Sequence, residues 1–231
     1  MRPPFPSHPS WRIDVVATTG STNDDLVAAV RAGTAAAGSV LVADEQLAGR
    51  GRLTRSWSAP PRSGLLMSAV LGEPATPWVP LLAGVAVARA LRSVALVNAC
   101  LKWPNDVLIG DRKVAGLLAE VAAPGLVVLG VGLNVTTTAA ELPAGVAATS
   151  LLLAGAHCTD RHTLLLAILR ELLTVRTSQD YRELCTTIGR QVRVELPGGT
   201  GVTGRAESVA DDGCLVVAGR PYSAGDVVHV R

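Results

Sequence analysis

Lys102-Trp103-Pro104-Asn105-Asp106, followed seven residues later by Lys113, sets charged groups between strongly apolar segments. A buried ammonium or carboxylate without a partner either costs several kcal/mol or gives up its charge. A polyanionic ligand carrying a metal ion would satisfy all of these groups at once. Asn105 and Asp106 are oxygen donors of the kind Mg²⁺ accepts beside phosphates and water, although Trp-Pro-Asn-Asp is also a good turn. Lys113 reads either as a point charge aimed at an anion, which needs no shifted pKa, or as a surface lysine in the turn Gly110-Asp111-Arg112-Lys113. Ala115 and Gly116 leave room for a ligand beside it.

A second cluster lies upstream in Gln46-Leu47-Ala48-Gly49-Arg50-Gly51-Arg52-Leu53-Thr54-Arg55-Ser56-Trp57. Arg50, Arg52 and Arg55 are always-charged planar forks, and Gly49 and Gly51 let backbone amides approach the same anion closely. The alternative is a solvated basic loop, or one that touches nucleic acid. Trp57 offers either a stacking face or plain packing. Ser21-Thr22-Asn23 can cap a helix and can also line a pocket with short polar groups. Gly130-Val131-Gly132-Leu133-Asn134 imitates a dinucleotide fingerprint, but the third glycine is missing and no helix opens after it.

The elements that must position these groups follow from pattern. Residues 2–10 are rich in proline and polar groups and read as a frayed lead. A short capped amphipathic helix follows Ser21 and ends at Gly33. Residues 39–43 form a buried strand, 46–63 a long mobile loop, and 64–71 another strand; Thr76-Pro77 opens an apolar helix through Leu91. Strands at 99–102, 107–109, 114–121 and 126–135 are joined by the turns Gly110-Asp111 and Pro124-Gly125. Hairpin-linked neighbours make the sheet mixed or antiparallel, not doubly wound. Helices at 161–176 and 179–187 follow. From 188 onward, short alternating runs at 192–196, 202–209, 214–217 and 227–230, with turns at Pro197-Gly198-Gly199 and Asp212-Gly213, predict a small β-barrel.

The fold class is therefore α+β: a mixed, largely antiparallel sheet with flanking helices, and a small barrel at the end. The expected division is 1–10 as the lead, 11–187 as the main domain and 188–231 as the small one. With 231 residues, 48% of them hydrophobic, the chain can fill a core by itself. Aromatic residues are only 3%, so the core is aliphatic and the tryptophans stand out for placed roles. A formal charge of +2 does not mark a nucleic-acid binder. Cys100, Cys158, Cys185 and Cys214 form no Cys-x-x-Cys pair, which speaks against zinc or a disulfide framework and for a reducing, cytoplasmic setting. The greasy stretch 81–101 is broken by Arg89 and Arg92, so no membrane segment is expected.

In order and spacing, Ser21-Thr22-Asn23, the Gly-Arg-Gly-Arg loop, Lys-Trp-Pro-Asn-Asp with Lys113-Val114-Ala115-Gly116, and Gly130-Val131-Gly132-Leu133-Asn134-Val135 resemble the biotin protein ligases, from about Trp11 to the carboxyl end. The resemblance implies the biotin/lipoyl ligase catalytic fold, which is class II synthetase-like, with an SH3-like barrel behind it. It implies ATP and biotin as substrates, Mg²⁺ as cofactor, and as partner the biotin carboxyl carrier protein domain of an acyl-CoA or pyruvate carboxylase. Residue by residue it puts Lys113 and Arg52 at the catalytic centre. Ser21, Thr22, Asn23, Gln46, Gly49, Arg50, Gly51, Arg52, Lys113 and Gly116 fall at biotin. Arg52, Arg55, Trp57, Asn105, Asp106, Lys113 and Asn134 fall at the nucleotide, with Asn105 and Asp106 facing the metal. The ureido ring of biotin presents one carbonyl acceptor and two N–H donors, which suits a Ser-Thr-Asn cluster plus Gln46.

The activity so implied is formation of biotinyl-5′-AMP with release of pyrophosphate, then transfer of biotin to a carrier lysine. No helix-turn-helix is expected ahead of the catalytic part, so the reading is a monofunctional ligase without DNA-binding activity. Leu53-Thr54 stands where the family more often has Arg-Gly, which removes one charge and one flexible joint from the loop. The rivals are a lipoate ligase or octanoyl transferase, a non-catalytic sensor of biotin, and a nucleic-acid-binding module. The arginine loop and Lys-Trp-Pro-Asn-Asp speak against the first. Lys113 together with that loop speaks against the second, since sensing needs no aimed phosphate clamp. Near-neutral charge and scarce aromatics disfavour the third.

Overall fold

A computed structural model describes residues 11–52, 55–72, 75–174, 176–196 and 200–230 of the chain. The expected lead over 1–10, the Leu53-Thr54 departure and the turn Pro197-Gly198-Gly199 lie outside these. The larger sheet contains β1 (Arg12–Thr19), β2 (Ser39–Gln46), β3 (Gly64–Leu71), β4 (Ala99–Lys102), β5 (Asp106–Ile109), β6 (Arg112–Ala123) and β7 (Leu126–Asn134), in the order β1-β2-β3-β7-β6-β5-β4. Only β1 and β2 run parallel; every other neighbouring pair is antiparallel. The mixed, largely antiparallel sheet expected from pattern is thus observed. Strand β1 was not anticipated: it is an edge strand with most side chains exposed, so it carries no alternation to read.

Helix α1 (Thr22–Arg31) covers one face, and α2 (Trp78–Ala90), α3 (Arg161–Leu172) and α4 (Ser178–Leu184) build the other side. Helix α2 continues through a π-helical turn, Leu91–Ala95, and is apolar on nearly every side because the sheet, α3 and α4 enclose it. The stretch Trp78–Ala95 is long and apolar enough to cross a bilayer by composition, yet 67% of it is buried within the protein. Strand β3 reads as one continuous greasy run because both faces are covered. Leu65, Met67, Ala69 and Leu71 join the large core, while Val70 packs with Leu26 and Val30 of α1. Ser68 shares the α1 face of β3 by alternation and is fully buried. Helices α3 and α4 stop at Leu172 and Leu184, short of the expected 176 and 187.

The remaining strands, β8 (Gln191–Glu195), β9 (Gly201–Val209), β10 (Leu215–Val217), β11 (Arg220–Tyr222) and β12 (Asp226–His229), form an antiparallel sheet ordered β11-β10-β9-β8-β12. Among the described residues no pairing joins β11 to β12, so this is an open sheet and not the closed barrel anticipated. Strands β10 and β11 have three residues each and β10 carries a register shift at Val216/Val217, too little ladder to close a ring. The turn between β9 and β10 of the small sheet is fastened to the larger part by tryptophans. Trp103 Nε1 donates to the Gly213 carbonyl at 3.1 Å, and Trp78 Nε1 to the Asp211 carbonyl at 2.7 Å.

Candidate active site

Register places three glycines side by side on the α1 face. Gly116 of β6 pairs with Gly132 of β7, and Gly130 sits between Ser68 of β3 and Leu118 of β6. With no side chains above them they make a floor. A Cβ on Gly132 would lie 2.4 Å from Trp57 Cε2, and one on Gly130 would lie 2.4 Å from Asn23 Oδ1. Bare backbone there is the condition for both side chains to lie down. Gly49 is required for another reason: its Cβ would meet the Trp57 carbonyl at 2.4 Å and Gln46 Nε2 at 2.7 Å. Trp57 N–H donates to the Gly49 carbonyl at 2.8 Å, and Arg50 bridges to Ser56, so the two arms of the arginine loop pair with one another.

Above the floor opens a cavity of about 500 Å³. One end is polar and hydrogen-bonded. Gln46 Oε1 accepts from the Thr22 backbone N–H at 2.8 Å and lies 3.0 Å from the Thr22 hydroxyl. That hydroxyl lies 2.7 Å from Ser68 Oγ, and Ser68 donates to Asn23 Oδ1 at 2.6 Å. Asn23 Nδ2 donates to Glu120 Oε2 at 2.8 Å, and Arg50 Nη2 donates to the same oxygen at 2.6 Å. Arg50 also pairs with Asp24 in the first turn of α1. Burial works against its charge, but Glu120 and Asp24 outweigh that and its pKa rises. Ser21 caps the same helix, accepting from the Asp24 N–H.

The other end is cationic. Lys113 Nζ lies 2.6 Å from Asp106 Oδ1, and Lys102, Arg52 and Arg55 line the same space. Simple alternation along β6 would turn Lys113 away, since Gly116 and Leu118 face the cavity. A register shift opposite Val107/Leu108 inserts one residue, so Leu108 pairs with Lys113 while Val107 pairs with Ala115. That bulge carries Lys113 to the face of Gly116, whose Cβ would lie 3.1 Å from Nζ. Lys113 Nζ also sits 5.4 Å from the Trp57 ring centroid. Burial lowers the pKa of Lys102, helped by Lys113 and Arg55 and opposed by Asp106. Burial likewise lowers that of Arg52, with Asp106 opposing and Arg55 assisting.

The structure thus brings together Ser21, Thr22, Asn23, Gln46, Arg50, Gly51, Arg52, Arg55, Trp57, Asn105, Asp106, Lys113 and Gly116. Gly49 stands behind the lining. Asn134 differs from expectation: it is buried and its Nδ2 donates to the Thr149 carbonyl at 3.0 Å, tying the end of β7 to the following loop instead of facing the cavity. Asn105 is held by reciprocal bonds with Leu117 at 2.8 and 2.9 Å and receives Arg52 Nη1 at 3.4 Å. Its neighbour Trp103 precedes Pro104 through a cis peptide and is buried.

Several groups in or beside the lining carried no assigned role in the sequence reading. Ser68 sits inside an apolar run and Lys102 at the end of β4, both in the lining, while Glu120 stands behind it on the far half of β6. Asp226 comes from the small sheet and pairs with Arg55 across the cavity mouth. His229 lies 3.2 Å from the Thr187 hydroxyl, which accepts the Trp103 backbone N–H at 3.1 Å. Of these, Lys102 had a local signal in its charged segment, and Ser68 and Glu120 one as polar residues of otherwise apolar strands.

Residues 15–134 match the Biotin/lipoate A/B protein ligase family, and residues 187–230 match the Biotin protein ligase C terminal domain. The chain is 46% identical to a biotin--[acetyl-CoA-carboxylase] ligase of Mycobacterium tuberculosis, over 96% of this chain and 90% of that one. It is 31% identical to a bifunctional ligase/repressor of Bacillus subtilis, over 88% and 67% respectively. Its fold superposes on the biotin protein ligase of Aquifex aeolicus, solved with biotin and ATP, with a TM-score of 0.77 and 26% identity over 95% of this chain and 99% of that one.

Proposed function

The chain belongs to the biotin protein ligase family, and from that premise we propose that its glycine-floored cavity is where biotin and ATP meet. It is an ATP-dependent biotin–[biotin carboxyl carrier protein] ligase, and the relatives' name makes the carrier domain of acetyl-CoA carboxylase the acceptor. The observation that carries the assignment to this cavity is its polarity. A neutral hydrogen-bonding cluster at one end suits the ureido ring, and a cluster of cations at the other suits a triphosphate.

In the first half-reaction a biotin carboxylate oxygen bonds to the α-phosphorus of ATP as the bond to the β-phosphate oxygen breaks. Two anions meet and more charge collects on phosphorus. Lys113, pre-aimed by the bulge, faces that charge together with Arg52. Arg55 and Lys102 hold the departing pyrophosphate, and Trp57 offers its indole to adenine. In the second half-reaction the carrier lysine amine attacks the anhydride carbonyl, a proton leaves the nitrogen, and AMP departs. Arg52 and Trp57, which line the cavity, keep water from the anhydride.

Magnesium fits the cationic end only alongside nucleotide phosphates. Asp106 already pairs with Lys113 and Asn105 Oδ1 receives Arg52, so the protein supplies one carboxylate and one amide oxygen. When bound, the ion would neutralise phosphate charge. The four free cysteines support a reducing, cytoplasmic setting. The site cations are turned into the cavity, which supports a carrier protein rather than DNA as the macromolecular partner. Division into a catalytic part, 11–187, and a small C-terminal part, 188–231, is the domain reading that goes with this assignment.

The test is transfer itself. With biotin, MgATP and an isolated carrier domain, the carrier gains the mass of one biotinyl group, and AMP and pyrophosphate form in equal amounts. Transfer of lipoate or octanoate in place of biotin would overturn the assignment.

A further inference from the structure

We infer that Glu120 is a positioning residue for this reaction, because one carboxylate oxygen holds both the Asn23 amide at the polar end of the cavity and the Arg50 guanidinium of the loop. The inference rests on the reading of that end as the biotin site.

Glu120 stands on the same face of β6 as Gly116 and Leu118, behind the cavity lining, where it touches the lining residues Asn23 and Arg50. Its Oε2 accepts from Asn23 Nδ2 at 2.8 Å and from Arg50 Nη2 at 2.6 Å. An amide can rotate to exchange its oxygen and nitrogen, and what faces it decides which way it stands. On one side the Ser68 hydroxyl donates to Asn23 Oδ1 at 2.6 Å. That hydroxyl could equally accept from an N–H, so it does not set the orientation alone. The Glu120 carboxylate can only accept. A reversed Asn23 would press its oxygen against that carboxylate, so Glu120 makes the nitrogen end the one next to it. The second N–H of Nδ2 is then left to donate to a carbonyl, as the ureido oxygen of biotin requires.

The same oxygen anchors the loop. Arg50 is held between Glu120 on β6 and Asp24 in the first turn of α1, so the arginine loop is tied to the sheet and to the helix that carries Thr22 and Asn23. Glu120 therefore ties the polar end of the cavity to the loop that covers it. Glu120→Gln keeps the shape but presents a donor or an acceptor at will, so Asn23 is free to turn over. Glu120→Ala removes both bonds.

Titration calorimetry of the full chain with biotin alone, without ATP, reads the first role. Trypsin cleavage after Arg50 in the ligand-free protein reads the second. The biotin Kd should weaken by about tenfold in Glu120→Gln and by more in Glu120→Ala. Cleavage after Arg50 should be several-fold faster in Glu120→Ala. The KM for ATP at saturating biotin should stay within about twofold of wild type in Glu120→Gln, whereas a general loss of structure would raise it together with the biotin Kd and lower the melting temperature. A biotin Kd within about twofold of wild type in both variants would overturn the inference while leaving the ligase assignment intact. Absence of biotin binding by the wild-type chain would overturn both.

Discussion

Lys113 and Asp106 face one another across the bulge between β5 and β6, ammonium to carboxylate at 2.6 Å. The pair is half-buried, and the same carboxylate lies among Lys102, Arg52 and Arg55. Asp106 therefore holds Lys113 at the place where the phosphate charge would develop. Lys113→Ala should slow adenylate formation by roughly 10²–10³-fold, the usual effect of removing one aimed charge. Circular dichroism should be unchanged, since the side chain is not part of the core. Adenylation at the wild-type rate in a single-turnover assay would remove Lys113 from the centre.

Arg52 is more enclosed and reaches Asn105 Oδ1 at 3.4 Å. Its loss should slow formation of the activated intermediate and also release what is formed. A hydrogen bond to a charged group contributes about 1.5–3 kcal/mol, so Arg52→Gly should let biotinyl-5′-AMP escape roughly 10–100 times faster. Streptavidin blotting of a bystander protein mixed with biotin, ATP and the variant checks this by its increased labelling. Retention equal to wild type would contradict the role.

Gly132 and Trp57 provide a steric test. A methyl group at position 132 would meet the indole at 2.4 Å, inside van der Waals contact. Gly132→Ala should lift Trp57 from the floor, visible as a shift in tryptophan fluorescence, and cost roughly 1–3 kcal/mol of stability or nucleotide affinity. Unchanged fluorescence and unchanged ATP affinity would show that the floor need not be bare.

His229 gives the pH dependence. Its pKa falls from an ordinary 6.5 to about 4, first through burial and then through the nearby charges of Lys102 and Arg190, with Asp111 opposing. A depressed folded pKa means that the unfolded chain takes up the proton first. Stability from this group is therefore complete above pH 6.5 and is lost as pH falls toward about 4. The lowered carboxylates Asp44 and Asp180 act only below their ordinary 3.8. The melting temperature of the wild type should decline between pH 6.5 and 4, and that of His229→Gln should decline less. Parallel curves would contradict the assignment.

The chemistry-bearing residues were legible because they cluster: the arginine loop, Lys-Trp-Pro-Asn-Asp and Lys113 each place charge where a strand or turn would otherwise be apolar. Strand and helix identity was legible wherever one face was covered. What escaped depends on register and on distance along the chain. The bulge that turns Lys113 inward is a shift of one residue between two strands, which no single strand reveals. The pairing of Gly116 with Gly132 is likewise a fact about neighbours. Asp226 reaches Arg55 from the far end of the chain. Asn134 was placed at the nucleotide by resemblance alone, yet it satisfies the Thr149 carbonyl in the interior. Edge strand β1, open on both faces, had no pattern to betray it.

Biotin-dependent exchange of labelled pyrophosphate into ATP tests the central claim most directly, because it requires reversible formation of the adenylate and nothing from the carrier. Run with biotin, lipoate and octanoate in parallel and with Lys113→Ala as control, the assay should show exchange with biotin alone, lost in the variant. Tight biotin binding without exchange would contradict the account and make the cavity a sensor's.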